Sequence, residues 1–497
     1  MLGSIKKAYH YMQHNGIEDT FYASMERLSN KEAYSYQPVT EEAKKNQRKY
    51  KFKIDILYSI LVPTYETKEV FLREMIESVL NQTYGKLELI IADASKSDAV
   101  SRVVSEYKDA RIKYTHLNEN SGISANTNEA LRMATGDYIG LLDHDDVLTP
   151  DALYECTYKI AAGVENGLDY VFVYSNEDKC NTAGNEFFEP HYKPEFDIDL
   201  LMSNNYICHF LVMRSDVMHK LMFRPDYDGA QDHDLVLRAY AVTHEMSSDK
   251  VQAYGHVAKV LYHWRCHENS TASNPMSKQY AYDAGLRAVT DFLKTQNIAA
   301  KVTHTKHNGF YRVEYEDNYV YPAGSKQEKI MNEYTATCRG ALAYRTFLNR
   351  YDIGAIGGPI VQKNKITGGI IDSTKTCTYE GMNVHYSGYM HRAVLQQKAM
   401  AVDVRNMLLA EQMLGCLKEI TCAEKYGYLF NQELITELFA LNEAGKLNVP
   451  YIDVSELLSD VKYENNDYLK ASVELCMAVN MEGYVIYYEP ECLITEE

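Results

Sequence analysis

The 497-residue chain has no run of 18 apolar residues, so no segment reads as a membrane-spanning helix. Its first residues, MLGSIKKAYHYMQHNG, lack the apolar core of a secretory signal. The 10 cysteines are scattered, with no CxxC pair and no zinc spacing. That pattern speaks against a disulfide framework and for reduced thiols in a cytoplasm. Basic charge is also short: 51 Lys and Arg stand against 69 Asp and Glu, a net charge of −18. A duplex nucleic-acid partner needs a basic footprint and is excluded on this count. An anionic ligand would have to bind through a metal or a helix N-terminus. Tryptophan is nearly absent, with one residue, whereas tyrosine reaches 42. Tyrosine suits sugar- or partner-facing surfaces, yet many will simply be half buried.

What is present is an ordered α/β pattern. Residues 1–55 read as a charged, helical lead-in. From Tyr58 the strands YSILVPTY, KLELIIAD, RIKYTHL and DYIGLLD alternate with the helical stretches KEVFLREMIESVLNQ, DAVSRVVSEYK and ISANTNEALRMAT. Nearly continuous apolar strands alternating with helices predict a parallel sheet covered on both faces. Ligands bind such sheets beyond the strand C-termini. The polar clusters PTYE, ADAS and DHDD all fall there. Beyond Pro150 the texture becomes a mixed sheet, ending in a helix near residue 297. The expected division is a domain over 56–300, a connection over 301–349 and a smaller α/β domain over 350–497.

Asp143, Asp145 and Asp146 crowd the end of the strand DYIGLLD. Adjacent carboxylates repel unless a cation or hydrogen bonds offset them. Taken alone the cluster could be a solvated, helix-capping turn or a metal site.

Six phrases in order settle which family the first half resembles: SILVPTYE, LNQTYGKLELIIADASKSD, NSGISANTNEALRMATGDYIGLLDHDD, YSNED, GAQDHDLVLRA and LYHWRCHENST. Over about 240 residues they resemble the GT-A inverting glycosyltransferases of family 2, of the type that builds bacterial surface polysaccharides. The resemblance implies a nucleotide-diphosphate sugar donor, UDP- or dTDP-linked, a glycan or lipid-linked acceptor, and Mn²⁺ or Mg²⁺. It puts Pro63, Thr64, Tyr65 and Glu66 on base and ribose, with Asp93 facing the base, the alternative for Asp93 being a helix cap. Asp143-His144-Asp145 matches the family's DXD motif, Asp145 contacting the metal most directly and Asp143 reaching the ribose; Asp146 would support them.

Gly122 supplies a tight turn and Asn126 a contact near the diphosphate or ribose. The general base falls on Asp232, with Asp234 as the alternative. Gln231 replaces the family's Glu, which touches acceptor positioning more than catalysis. In the last phrase His263 or His267 is a third metal ligand, Arg265 and Ser270 hold the diphosphate, and Trp264 is core or a sugar-stacking platform. Asn176, Glu177 and Asp178 line the sugar or acceptor pocket unless they form a turn.

Residues 350–497 resemble the distal part of a second such domain without its donor-binding half. Ser472 stands where the base would be, in Ser472-Val473-Glu474-Leu475-Cys476, followed by Gly483-Tyr484 and Pro490. The region is therefore expected to be non-catalytic, a scaffold, glycan-binding or oligomerising module. A lapsed transferase that only binds glycan or nucleotide is the competing reading for the whole chain. A nucleotidyltransferase is disfavoured, because PTYETKEV offers no Gly-rich basic phosphate loop. Peripheral contact with the inner face of a membrane, and self-association, both stay open.

Overall fold

The computed structural model describes residues 2–29, 34–244, 251–267, 279–317, 321–422, 426–459 and 467–496. Two helices come first, α1 (Leu2–Ser29), kinked at Gly16, and α2 (Glu41–Lys49). The central sheet is built from β1 (Tyr58–Thr64), β2 (Leu87–Asp93), β3 (Ile112–His116), β4 (Tyr138–Leu141), β5 (Val147–Leu148), β6 (Leu168–Cys180), β7 (Phe187–His191), β8 (Leu211–Arg214) and β9 (Val251–Arg265). Its order is β3-β2-β1-β4-β8-β6-β9-β5, with β7 beside β6. The first four strands are mutually parallel, with Leu61 opposite both Ile90 and Leu141, whereas β8 runs antiparallel to β4 and β6. This is the mixed sheet of the GT-A fold, as the sequence predicts.

Alternation along β1 feeds two cores. Tyr58, Ile60 and Val62 pack against α3 (Glu69–Leu80), α4 (Ala99–Glu106) and α6 (Ala152–Glu165). Leu61 joins the opposite layer with α5 (Ile123–Met133), α7 (Ile198–Ser203), α8 (Ser215–Leu221), α9 (Gln231–His244) and α10 (Gln279–Thr295). Both faces being covered is why these strands carry continuous apolar runs. The hairpin β10 (Ala300–His304) and β11 (Tyr311–Tyr315) places Val302, Tyr311, Val313 and Tyr315 in that second core. The first unit therefore reaches Tyr315, further than the expected end at 300.

A second unit has its own core around Ile371, Leu409, Leu417, Leu475 and Ile486. Its five-stranded sheet runs Gln397–Lys398, Val485–Tyr488, β12 (Ile353–Gly357), Met407–Ala410 and Tyr451–Asp453, and only β12 and Val485–Tyr488 are parallel. The units are joined by buried polar contacts. Arg350 Nη1 donates to Asp199 Oδ1 at 2.5 Å, and Lys398 N donates to Asp197 Oδ2 at 2.8 Å. Helix α1 straps the second unit: Glu26 accepts from the Ser387 and Gly388 amides, and Tyr22 stacks on His385. Among the described residues no helix is long and apolar enough to cross a membrane.

Candidate active site

A cleft of about 790 Å³ opens beyond the C-terminal ends of β1 and β4. It is lined by Pro63, Thr64, Tyr65, Glu66, Gly122, Asn126, Asp143, His144, Asp145, Gln231, Asp232, Trp264 and His267, among others. Thirteen of the residues expected from sequence thus meet in one place, although they come from positions 63 to 267.

The acidic loop is held from below by β9. Asp146 is buried, accepting from Tyr262 Oη at 2.5 Å and from the Arg265 amide at 2.7 Å. The Arg265 guanidinium donates from Nε to the Asp145 carbonyl at 2.7 Å, from Nη1 to Thr182 O and from Nη2 to Glu74. Arg265 is therefore 1% exposed and fully engaged, a brace for the loop and not the diphosphate ligand expected of it. Burial first, and neighbouring acids next, push up the Asp146 carboxyl; burial and Asp145 likewise raise Asp143, against a lowering by His209. Ligand atoms of Asp143, Asp146 and His209 lie within 4.8 Å of one another. Asp145 instead pairs with His267 Nε2 at 2.7 Å, and His267 stacks on Phe71.

The cleft walls are acid-rich: Glu66, Asp143, Asp145, Asp228 and Asp232 face a single Lys, Lys68, and no Arg among the described residues. An anionic diphosphate entering such a cleft needs a cation beside it. Clustered carboxylate oxygens are the donor set that Mg²⁺ or Mn²⁺ takes, so the residues present fit the metal that the sequence resemblance implies.

Asp232 stands in the first turn of α9 and accepts from Asn205 Nδ2 at 2.9 Å. Gln231 Oε1 takes the amide of Gly229, which sits at φ 95°. Across the cleft Gly122, also at φ 95°, begins α5, and a β-carbon there would collide with the Asp228 carboxylate. Asp228 in turn accepts from the Ser124 amide at 3.1 Å. Asn126 Nδ2 donates to Asn120 at 2.9 Å. Glu66 accepts from the Lys96 amide and from Ser97 Oγ, which lower its carboxyl, so it ties the β1 and β2 ends together at the cleft rim.

Several expected residues lie elsewhere. Asp93 is fully buried under the cleft floor, accepting from Thr64 Oγ1, Tyr114 Oη and the Ser95 amide. Asn176, Glu177 and Asp178 are not in a loop, because β6 continues to Cys180 paired with β9. Asn176 accepts from His256 and the Lys193 amide; Glu177 pairs with Lys193 and His191. Although burial opposes it, those partners hold the Glu177 carboxyl at about 2.

Asp178 accepts from Tyr34 and faces His263 Nδ1 at 2.5 Å, which removes His263 from the cleft. Strand alternation puts His263 and Arg265 on one side and Trp264 on the other. His267 lies past the strand end and turns back to Asp145. Trp264 thus lines the cleft, with Lys179 over its ring. Asp234 is clamped by Arg224 and Arg238 and is no alternative base. Ser270 lies outside the described residues.

Sequence reasoning missed Lys68, Phe71, Asn205, Cys208 and His209. The stretch NYICHFLVMR reads as strand, but β8 begins only at Leu211, so residues 205–209 enter the cleft as extended loop. Two asparagines and a histidine just ahead of an apolar strand were the available signal.

The sheet order and the cleft beyond the ends of β1 and β4 are those of a GT-A-type α/β fold. Residues 59–222 match the family model described as glycosyl transferase family 2. The chain is 33% identical over 251 residues to the O-antigen biosynthesis protein RfbC of Myxococcus xanthus, covering 50% of this chain and 19% of that one. It is 30% identical over 189 residues to the putative colanic acid biosynthesis glycosyl transferase WcaA of Escherichia coli K12, covering 37% of this chain and 65% of that one. It thus spans about a fifth of the first relative and just under two thirds of the second. A crystal structure of S. aureus TarS 1–349 in complex with UDP-GlcNAc aligns with a TM-score of 0.38 at 17% identity, covering 48% of this chain and 66% of that one.

Proposed function

We propose that the chain is an inverting glycosyltransferase of surface-polysaccharide synthesis. It moves a sugar from a UDP- or dTDP-linked donor to a hydroxyl of a glycan or lipid-linked acceptor. The observation that carries this reading is that the 143–146 acidic loop and Asp232 line one cleft. RfbC and WcaA, by their names, belong to the same kind of synthesis.

In this reading the donor lies between Pro63–Glu66 and Gly122–Asn126, with the acceptor at Asp232, Gln231 and Trp264. Asp143 and His209 with Asp146, and Asp145 beside them, would hold Mn²⁺ or Mg²⁺. When bound there, the ion neutralises charge on the departing diphosphate. Asp232 accepts the proton of the acceptor hydroxyl as its oxygen bonds to the anomeric carbon. The carbon–phosphate-oxygen bond breaks in the same displacement, and the nucleoside diphosphate leaves with the electron pair. Attack from the face opposite the leaving group inverts the anomeric centre. One base suffices for this, and Asp232 is the cleft carboxylate standing apart from the acidic loop at a helix start.

Incubation with a panel of UDP- and dTDP-sugars plus Mn²⁺ tests the proposal. Nucleotide release or transfer is expected for at least one donor, and the lack of both across the panel contradicts it. A binding module without turnover would keep its affinity and show no release, and Asp232→Asn would leave it indifferent.

A further inference from the structure

Asn205 stands where the loop leaving α7 enters the cleft. Its Nδ2 donates to Asp232 Oδ2 at 2.9 Å, which fixes which end of the amide faces the carboxylate. The other end, Oδ1, is buried and has no hydrogen-bond partner among the described residues. Buried polar atoms are almost always paired, and one left without a partner costs about 1–3 kcal/mol. Its neighbours do not supply a donor: Asp232 is an acceptor, the Cys208 sulfur contacts His209 Nε2 at 3.3 Å, and Gln231 turns its Oε1 to Gly229. An orphan acceptor beside a carboxylate poised to take a proton is one half of a two-point contact.

Resting on the glycosyltransferase reading above, we propose that Asn205 determines acceptor specificity. Its Oδ1 accepts a hydrogen bond from a hydroxyl or amide N–H adjacent on the acceptor ring to the hydroxyl that Asp232 deprotonates. The acceptor class is then a saccharide bearing a vicinal diol or a vicinal hydroxyl and acetamido pair, as against an isolated alcohol. Neighbouring ring substituents can point the same way, which suits a carboxylate and an amide oxygen held side by side. Asn205 is also a positioning residue for Asp232, because its N–H holds one carboxylate oxygen in place.

The test uses the full chain with Mn²⁺ and whichever UDP- or dTDP-sugar it turns over. The acceptors are methyl glycosides of glucose, galactose and N-acetylglucosamine, and their analogues with each ring hydroxyl in turn replaced by hydrogen. For the wild type, removing the reacting hydroxyl should abolish transfer. Removing its neighbour should lower kcat/KM by about 10- to 100-fold, and removing any other should change it little. In Asn205→Ala the penalty for the neighbouring deoxy position should fall to about onefold, while the general loss of rate is shared by every acceptor.

A wild-type chain that ignores the neighbouring hydroxyl overturns the proposal even if Asn205→Ala fails to fold, and so does an undiminished penalty in a folded Asn205→Ala. Donor hydrolysis without transfer to any saccharide overturns it too. Absence of all donor turnover and binding instead removes the transferase reading itself.

Discussion

The two units of this chain are both α/β, and both carry polar side chains around their sheets, yet they use them differently. In the first unit the carboxylates at 143, 145 and 232 converge on open space. In the second the corresponding groups are consumed by one another. Ser472, expected where a base would stand, donates to the Tyr468 carbonyl at 2.6 Å and accepts from the Val404 amide at 3.0 Å. Asp403 is spent on Arg405, and Asp453 on Arg339. Polar residues gathered around a sheet are therefore not by themselves a site. A site needs polar atoms that their own chain leaves unsatisfied, as Asn205 Oδ1 and His144 Nδ1 are in the first unit.

Substitutions at matched positions sharpen this contrast. Asp232→Asn should lower transfer by about 10²- to 10⁴-fold in steady-state kinetics with little change in calorimetric nucleotide affinity, since a general base contributes on that scale. Arg350→Met should have the next largest effect, and only on stability. It leaves the Asp199 carboxylate buried without its guanidinium, a loss of about 3–5 kcal/mol in denaturant unfolding. Ser472→Ala should leave transfer unchanged and cost about 1–3 kcal/mol, because it strands the Val404 amide. Equal kinetic losses in the Asp232 and Ser472 variants would erase the distinction between the units.

A further effect should come from pH where the β10–β11 hairpin of the first unit meets the second unit beside α1. His307 and His391 stack with centroids 3.8 Å apart, and burial, with neighbouring cationic groups next, holds them at about 3 and about 4, below the usual 6.5. Both are neutral when folded, whereas the unfolded chain binds protons below pH 6.5. The stability they contribute is thus full above that value and is lost progressively as pH falls toward 4. Glu177 loses its contribution in the same direction at lower pH: held at about 2, it supports the first unit until pH drops below about 4. Limited proteolysis between pH 7 and 5 should open the α1 junction before the first unit, and His307→Phe should flatten that dependence.

Much of the fold was legible because its signals are local. The continuous apolar runs of β1, β2 and β4 and the amphipathic helices between them announce a covered parallel sheet. The acidic loop was legible too, since three carboxylates crowded at a strand end repel one another unless a cation or donors gather around them. What the sequence could not reveal was depth. Asp93, Asp178 and Asp234 look like Asp143 on paper, but each is sealed by partners from distant segments, Tyr114, His263 and Arg224. His209 and Asn205 were hidden for the converse reason: they precede an apolar strand and read as part of it.

The central claim is that one cation-assisted diphosphate site exists, at the 143–146 loop and facing Asp232. Anomalous diffraction at the manganese edge from crystals soaked with Mn²⁺ and UDP tests it most directly. The account predicts a manganese peak in contact with Asp143 or Asp145, with the pyrophosphate on its cleft side. A peak in the second unit, or a nucleotide bound away from that loop, would contradict it.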